Sequence, residues 1–532
     1  MIFFVCIGAL LTALVLYTRQ IYSRFSEAGV RHFRPIPLVG TAGKVVIRIQ
    51  HLIDSANDVY TTFLEDKFVG QYLLLKPIIY VKDLALIKKI TVKDFEYFLN
   101  HQGFVSEEVD PIFGRNLFSL RGKEWKDMRF TLSPVFTSSK MKHMLPFMAE
   151  VGDQMISSLT TRLHESGKTS MEIDAKDIAA RYANDVIATC AFGLKVDSQS
   201  GRNNHFYRMG DKATNFGFKA LLTVLGYGSV PRLMKMFKVA LFPEDVRDFF
   251  KQLVLNTMNE RKAHNIVRPD IIHLLMETKK GQQLTYAENS ANDTDAGFDT
   301  VGKSTVGKRN VDTVWSDNDL TAQAALFFVG GFETISTAMT FLMYELAVNP
   351  EIQERLVQEI KDHDKANDGK FDYNSIRSMT YLDMVVSEVL RLWPPAIASE
   401  RLCVKEYNLG KPYEKAPADY IVKVNDSIHI PIFSIHRDPR YFPNPLKFDP
   451  ERFSDENKHK IQPFTYMPFG VGPRNCLGSR FALCEVKVMI YLLLQHMKLE
   501  PSKRTPIPLE LAAGSFSLRM RGGHWLQLRA RD

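Results

Sequence analysis

The decamer Phe469 to Gly478, FGVGPRNCLG, constrains this chain more than any other stretch. It sets one cysteine, Cys476, in a glycine-rich loop that opens an apolar run. A thiolate ligand needs its charge tolerated in dry surroundings, and a loop at a helix start aims backbone N–H groups at the sulfur. Gly470, Gly472 and Gly478 let such a loop turn tightly and lie close to a flat ligand. Pro473 stiffens it, and Arg474 offers charge-assisted hydrogen bonds to a carboxylate. The apolar residues Phe481, Leu483, Val486, Val488, Ile490 and Leu492 to Leu494 then predict a buried helix. The competing reading of the same residues is a plain cysteine in a turn.

The 532-residue chain shows no linker between independent folds, so the reading is one large domain. A net charge of +8 suits an anionic membrane surface or an acidic protein partner. The basic residues are too dispersed for nucleic acid, which is excluded as a partner. Cys6, Cys190, Cys403, Cys476 and Cys484 are odd in number and far apart, which argues against a disulfide framework and for a reducing, cytosolic setting.

Met1 to Thr18 carries no charged side chain, and Arg19, Arg24, Arg31 and Arg34 follow it. This is about the shortest run that spans a bilayer, and the positive-inside rule leaves the rest of the chain in the cytosol. The expected organisation is a membrane anchor over 1–24, a basic, proline-containing hinge over 25–45, and a body over 46–532. A polar insertion over 281–312 reads as an exposed loop. GQYLLLKPIIY, Gly70 to Tyr80, reads as a hairpin, with helical text at Leu84 to Ile90. Further strand-like pieces are expected only at Tyr420 to Ile430 and Phe516 to Leu528, so the body is mainly α with a small β region. Leu221 to Phe242, with Leu233, Met236 and Phe237 among Lys235 and Lys238, reads either as a second membrane contact or as a helix pair roofing the site.

Three more motifs bear on chemistry. In the helical text Leu320 to Val348, GGFET places Gly330 and Gly331 before Glu333 and Thr334. Paired glycines loosen a helix, and an acid beside an alcohol suits proton delivery; helix packing at the glycine pair is the other reading. In Tyr381 to Leu392, Glu388 and Arg391 share one helix face at i, i+3, with Arg452 of DPERF a third member. In WKDMR, Trp125 and Arg129 lie one turn apart.

Taken in order, WxxxR, GGFET, ExxR, PERF and F-x-x-G-x-R-x-C-x-G resemble the cytochrome P-450 superfamily over almost the whole chain. RPDIIHLLME, WSDNDL and HRDPRYFPNPLKFDPERF are similar to insect microsomal members related to the vertebrate drug-metabolising branch. The resemblance implies that superfamily's fold behind one N-terminal transmembrane helix, with RPIPLVG as the proline hinge, and haem b as cofactor. Cys476 would be the proximal iron ligand, framed by Phe469, Gly470 and Gly478. Trp125, Arg129, Arg401, Arg474 and His101 would meet the haem propionates, although a lone histidine such as His101 is more often an ordinary surface or packing residue. Glu333 and Thr334 would manage proton delivery to dioxygen, and Glu388, Arg391 and Arg452 would brace the haem loop. The pocket would be lined by Phe104, Phe118, Phe328, Gly330, Ala396, Ile397, Ala398 and Phe516.

The implied activity is an NADPH-dependent monooxygenase on lipophilic xenobiotics such as plant toxins or insecticides, at the cytosolic face of the endoplasmic reticulum. A membrane-bound flavoprotein reductase would supply electrons, with cytochrome b5 a further candidate donor. A haem-thiolate isomerase or dehydratase is the rival enzyme, and those relatives commonly depart from the acid–alcohol pair. A haem sensor is the rival from another class, and there histidine ligation is the commoner choice.

Overall fold

The computed structural model describes residues 2–201, 204–215, 217–268, 270–279, 315–515 and 517–531. The insertion expected over 281–312 and the pocket residue Phe516 therefore lie outside the described residues.

Helix α1 (Ile2–Glu27) leads to the antiparallel strands β1 (Phe68–Leu73) and β2 (Lys76–Val81). Helices α2 (Gly122–Leu132) and α3 (Ser138–Glu165) follow, then β3 (Ser170–Asp174) and α4 (Ala175–Ile187). The central helix α5 (Asp317–Val348) precedes α6 (Thr380–Leu392), β4 (Ser399–Leu402) and β5 (Ser427–Ile430). The chain ends with α7 (Ser479–His496), β6 (Met497–Pro501) and β7 (Trp525–Ala530). One sheet has the order β1-β2-β5-β4, a second β3-β7-β6, and a third pairs Tyr407–Asn408 with Ile421–Val422. The body is thus mainly helical with a small β region, as expected.

Helix α5 starts at a reciprocal cap: Asp319 N donates to Ser316 Oγ (3.2 Å), and Ser316 N to the Asp319 carboxylate (2.9 Å). It is long and apolar enough to cross a bilayer, but most of it is buried inside the protein. Its apolar character is therefore that of a core helix. It packs on α4, and a Cβ at Gly331 would come within 2.8 Å of Ile187 Cδ1, so glycine sets how closely the two helices approach. Helix α7 runs through the core between α3 and α5.

The expected hairpin is present, with its turn at Leu74 and Leu75, as are the helices expected at Ile271 to Met276, at Leu320 onward and after the cysteine. The expectation that other strands occur only near 420–430 and 516–528 is corrected. Ser170–Asp174, Ser399–Leu402, Tyr407–Asn408 and Met497–Pro501 are strands too. SMEID and SERL are short and polar, and their pairing comes from partners far along the chain: Ile173 opposes Leu526, and Arg401 opposes Ile428. Met497–Pro501 follows α7 with no breaking residue between them.

The apolar N-terminal run forms α1, with Phe3, Phe4, Val15 and Leu16 exposed. The helix continues past residue 24 to Glu27, and residues 25–45 lie against the first sheet. Phe25 and Val30 are buried, His32 bridges Gly70, and Gly40 bridges Leu73. Arg24 Nη1 donates to Asp426 Oδ1 (2.8 Å).

Candidate active site

The cysteine loop is built by its own backbone. Gly470 N donates to Met467 O (3.0 Å), Asn475 N to Gly472 O (3.0 Å) and Cys476 N to Phe469 O (2.8 Å). Gly472 has φ +74°, and a Cβ there would lie 1.9 Å from Thr91 O, so no other residue fits. Gly470 is also at positive φ, whereas Gly478 is not and simply precedes α7. Of the four cysteines in the body, Cys476 alone is exposed; Cys190, Cys403 and Cys484 are buried. Phe469 is half-buried beside it.

Three buried arginines converge on this loop. Arg129, on α2, donates to Asn475 O (2.7 Å) and Asn475 Oδ1 (2.6 Å). Burial pulls its pKa down, and the charge of Cys476 acts the other way. Arg474 donates to the carbonyls of Leu99 (2.9 Å), Leu117 (3.3 Å), Phe118 (3.3 Å) and Leu120 (2.8 Å), with its guanidinium 4.0 Å above the ring of Trp125. Arg474 therefore clamps the loop to residues 99–120. Arg401, on β4, donates to Ser399 Oγ (2.9 Å), Glu400 O (2.8 Å) and Val471 O (3.3 Å).

Burial lowers Arg401 to about 10 and Arg474 well below its ordinary value, the latter also because Arg401 and Arg129 are close. The Nε groups of Arg129 and Arg401 are buried without a hydrogen-bond partner. Clustered cations holding unspent donors favour an anionic ligand with carboxylates. Together with the exposed thiol, this donor set fits haem. His101 is buried, donates from Nδ1 to Glu400 Oε2 (3.2 Å) and stacks on Phe118 at 4.5 Å. It lies close enough to Arg401 and Arg474 to feel their charge.

The bracing triad assembles. Arg391 donates to both Glu388 oxygens (2.7 and 2.8 Å), Arg452 Nε and Asp449 N donate to Glu388 Oε1 (3.4 and 2.9 Å), and Glu388 and Arg391 are fully buried. Arg391 Nη1 also reaches His436 O (2.8 Å), and Met467 N donates to His436 Nε2 (2.8 Å). His436 thus couples the triad to the segment entering the cysteine loop, and burial keeps it neutral, at about 3. It opens the HRDPRYF text but was not singled out there.

Along the middle of α5, where most residues are buried, Gly330 and Thr334 are exposed, and a Cβ at Gly330 would meet nothing within 4 Å. Thr334 Oγ donates to Gly330 O (2.5 Å). Phe327 of α5 and Phe136 pack with tilted rings 5.3 Å apart, and Phe136 also lies 3.5 Å from where a Gly478 Cβ would be, so one ring joins the two walls. Glu333 sits about 100° further round the helix and is buried. Its oxygens accept from Lys176 Nζ (3.1 Å) and Arg519 Nη2 (3.1 Å). Lys176 also donates to Ser336 Oγ (2.8 Å) and Thr337 Oγ1 (3.1 Å), and burial lowers it to about 8 against the pull of Glu333. Neither Lys176, Arg519, Asn475 nor Glu400 was expected; each is a long-range partner with no local pattern.

Among the pocket residues, Phe104 and Phe118 are partly buried with rings 5.1 Å apart, Ala396 is exposed, and Ile397 and Ala398 are intermediate. Phe328 does not share the open face of Gly330. It is fully buried among Phe192, Phe206, Phe250 and Phe332 because it lies about 200° round the helix from Gly330.

The family model described as Cytochrome P450 matches residues 30–525. The chain is 45% identical to cytochrome P450 9e2 of Blattella germanica over 518 residues, covering 95% of this chain and 94% of that protein. It is 42% identical to probable cytochrome P450 9f2 of Drosophila melanogaster, covering 96% and 95%. It is 35% identical to cytochrome P450 6k1 of Blattella germanica, covering 98% and 95%.

Proposed function

The chain belongs to the cytochrome P450 family, a haem-thiolate monooxygenase family that uses dioxygen and reductase-supplied electrons, and on that premise we propose that it oxidises lipophilic xenobiotics. NADPH is the electron source in this reading, through a membrane flavoprotein reductase, with cytochrome b5 as an accessory donor. The observations that support the substrate class are the open Gly330–Thr334 face and the partly buried pair of aromatic rings, Phe104 and Phe118. Such surroundings hold ligands by burial and shape.

Cys476 would hold the iron, and the Arg129 and Arg401 cations would take the propionates. When bound, the haem supplies oxygen activation. Thr334 spends its hydroxyl proton on Gly330 O and so turns lone pairs outward, able to accept a proton and hand it on. Lys176 stores a proton at Nζ near neutrality, and Glu333 receives it. Delivery then requires Glu333 to swing from Lys176 and Arg519 toward Thr334.

Location at the cytosolic face of the endoplasmic reticulum rests on α1 as an anchor with exposed Phe3, Phe4, Val15 and Leu16. A second membrane contact is supported by Leu233, Met236 and Phe237, which are exposed beside Lys235 and Lys238, whereas Leu221 and Leu225 are buried in the body.

The test is substrate depletion with NADPH and reductase across insecticides, plant allelochemicals, fatty acids and steroids. Turnover of xenobiotics is expected. Conversion of hydroperoxides alone, without NADPH, would replace this reading with an isomerase or dehydratase.

A further inference from the structure

His101 and Glu400 form a pair that oxygen chemistry does not account for. Glu400 stands opposite His429 in the β4–β5 register. Its Oε2 accepts from His101 Nδ1 (3.2 Å) and Gln102 N (2.9 Å), and its Oε1 from Ser427 Oγ (3.0 Å). The two side chains are only 9% and 15% exposed. The His101 ring lies within 6° of parallel to Phe118, so its plane is fixed.

With Nδ1 donating to Glu400, a neutral His101 carries only a lone pair on Nε2. That lone pair repels a carboxylate oxygen, while an imidazolium donates to one. Several groups face the pair. Glu400 and Arg401 come from β4, Arg474 from the cysteine loop, His429 from β5 and Lys76 from β2. Burial, with Arg401 and Arg474, holds His101 down at about 4 even though Glu400 favours its charged form. Burial would raise Glu400, but the bond from His101 and the neighbouring charges bring it to about 2, so the anion is present throughout. Carboxylates entering beside Arg129, Arg401 and Arg474 would offset the cations that keep the ring neutral.

Resting on the haem-thiolate reading above, we propose that His101 takes up a proton when the cofactor's carboxylates bind. Glu400 is the positioning residue, holding Nδ1–H so that Nε2 becomes the donor toward a propionate. A group whose pKa rises on binding adds affinity that is complete below its unbound value, here about 4. It falls progressively as pH rises from there toward the bound value and is gone above it.

The experiment is haem transfer from the holoenzyme to excess apoglobin between about pH 5 and 8.5. Loss from the wild type should quicken with pH from the acid end of this window, by up to ~10-fold per unit, and level off once the bound value is passed. His101→Gln should give a flat profile. Glu400→Gln should move the rise to lower pH, and the double variant should lose haem no faster than His101→Gln alone, because Glu400 acts through the ring. A wild-type profile without pH dependence, or additive effects of the two substitutions, would overturn the proposal. If the reduced wild-type protein lacked the red-shifted carbon monoxide band, the haem-thiolate reading itself would fall. A normal band with pH-independent haem loss would remove only the proton uptake.

Discussion

On the cysteine side, guanidinium groups are fastened to main-chain carbonyls: Arg129 to Asn475, Arg474 to four carbonyls of residues 99–120, and Arg391 to His436. On the α5 side, the exposed surface is a glycine backbone and one hydroxyl, and the nearby acid is turned into an ion pair. Charged side chains tied to carbonyls leave the first wall few alternative arrangements, because breaking any one bond strands a buried charge. The second wall has nothing comparable at stake on its open face. A site arranged this way fixes its cofactor and leaves room for ligands of different shape.

The sharpest way to break that contrast is Cys476→His. Oxygenase turnover should vanish, and the red-shifted carbon monoxide band with it, while no comparable loss is expected from any single change on the open face. Wild-type turnover in this variant would mean that the loop is not the ligand site. Next in size is Glu388→Ala, which strands Arg391 in the core. Loss of one partner from a buried pair costs roughly 3–5 kcal/mol, and urea unfolding of the holoenzyme measures it. A loss under about 1 kcal/mol would show that the first wall is less rigidly determined than its hydrogen bonds suggest.

The first wall was the more legible in sequence. Its motifs are short-range: Glu388 and Arg391 share a helix face, Trp125 and Arg129 share another, and the decamer carries its own turn residues. The second wall was legible as text but not as orientation. GGFET put Glu333 next to Thr334, yet helix geometry separates them, and the partners that claim Glu333 lie 157 and 186 residues away. The same holds for Glu400, whose partner His101 is 299 residues distant, and for β4, a polar tetrapeptide that is a strand only because β5 pairs with it. The RPIPLVG segment reads in sequence as a proline-stiffened connection, but its docking on β1 depends on Phe25 packing where Gly70 has no side chain.

Thr334→Ala sharpens the functional side of the comparison. NADPH should still be consumed, but product per NADPH should fall by ~10-fold and peroxide should rise, a modest share of what general acid–base groups contribute. Unchanged coupling would return the motif to helix packing. The supply behind it carries a pH signature. Lys176 is lowered to about 8 by burial, so the ammonium is present below that pH and disappears as pH rises through it. Product per NADPH should therefore decline above about pH 8, and Lys176→Met should remove that decline. An identical high-pH profile in the variant would separate Lys176 from the proton route.

The smallest expected effect is the most discriminating about the open face. Gly330 and Gly331 are neighbours on one helix, but a Cβ at Gly330 meets nothing within 4 Å, while one at Gly331 meets Ile187 at 2.8 Å. Gly330→Ala should therefore raise stability by roughly 0.5–1 kcal/mol, the gain of removing glycine from a helix interior. Gly331→Ala should cost roughly 1–3 kcal/mol, because α5 must move off α4 or Ile187 must leave its rotamer. Urea unfolding of both holoenzyme variants gives the two signs. Spectral titration with lipophilic ligands of increasing bulk gives the third outcome, since the added methyl at Gly330 occupies ligand space and should weaken the bulkiest ligands first. If Gly330→Ala destabilised the protein, or weakened every ligand equally, the face would be part of the packed interior and the two walls would not differ in kind.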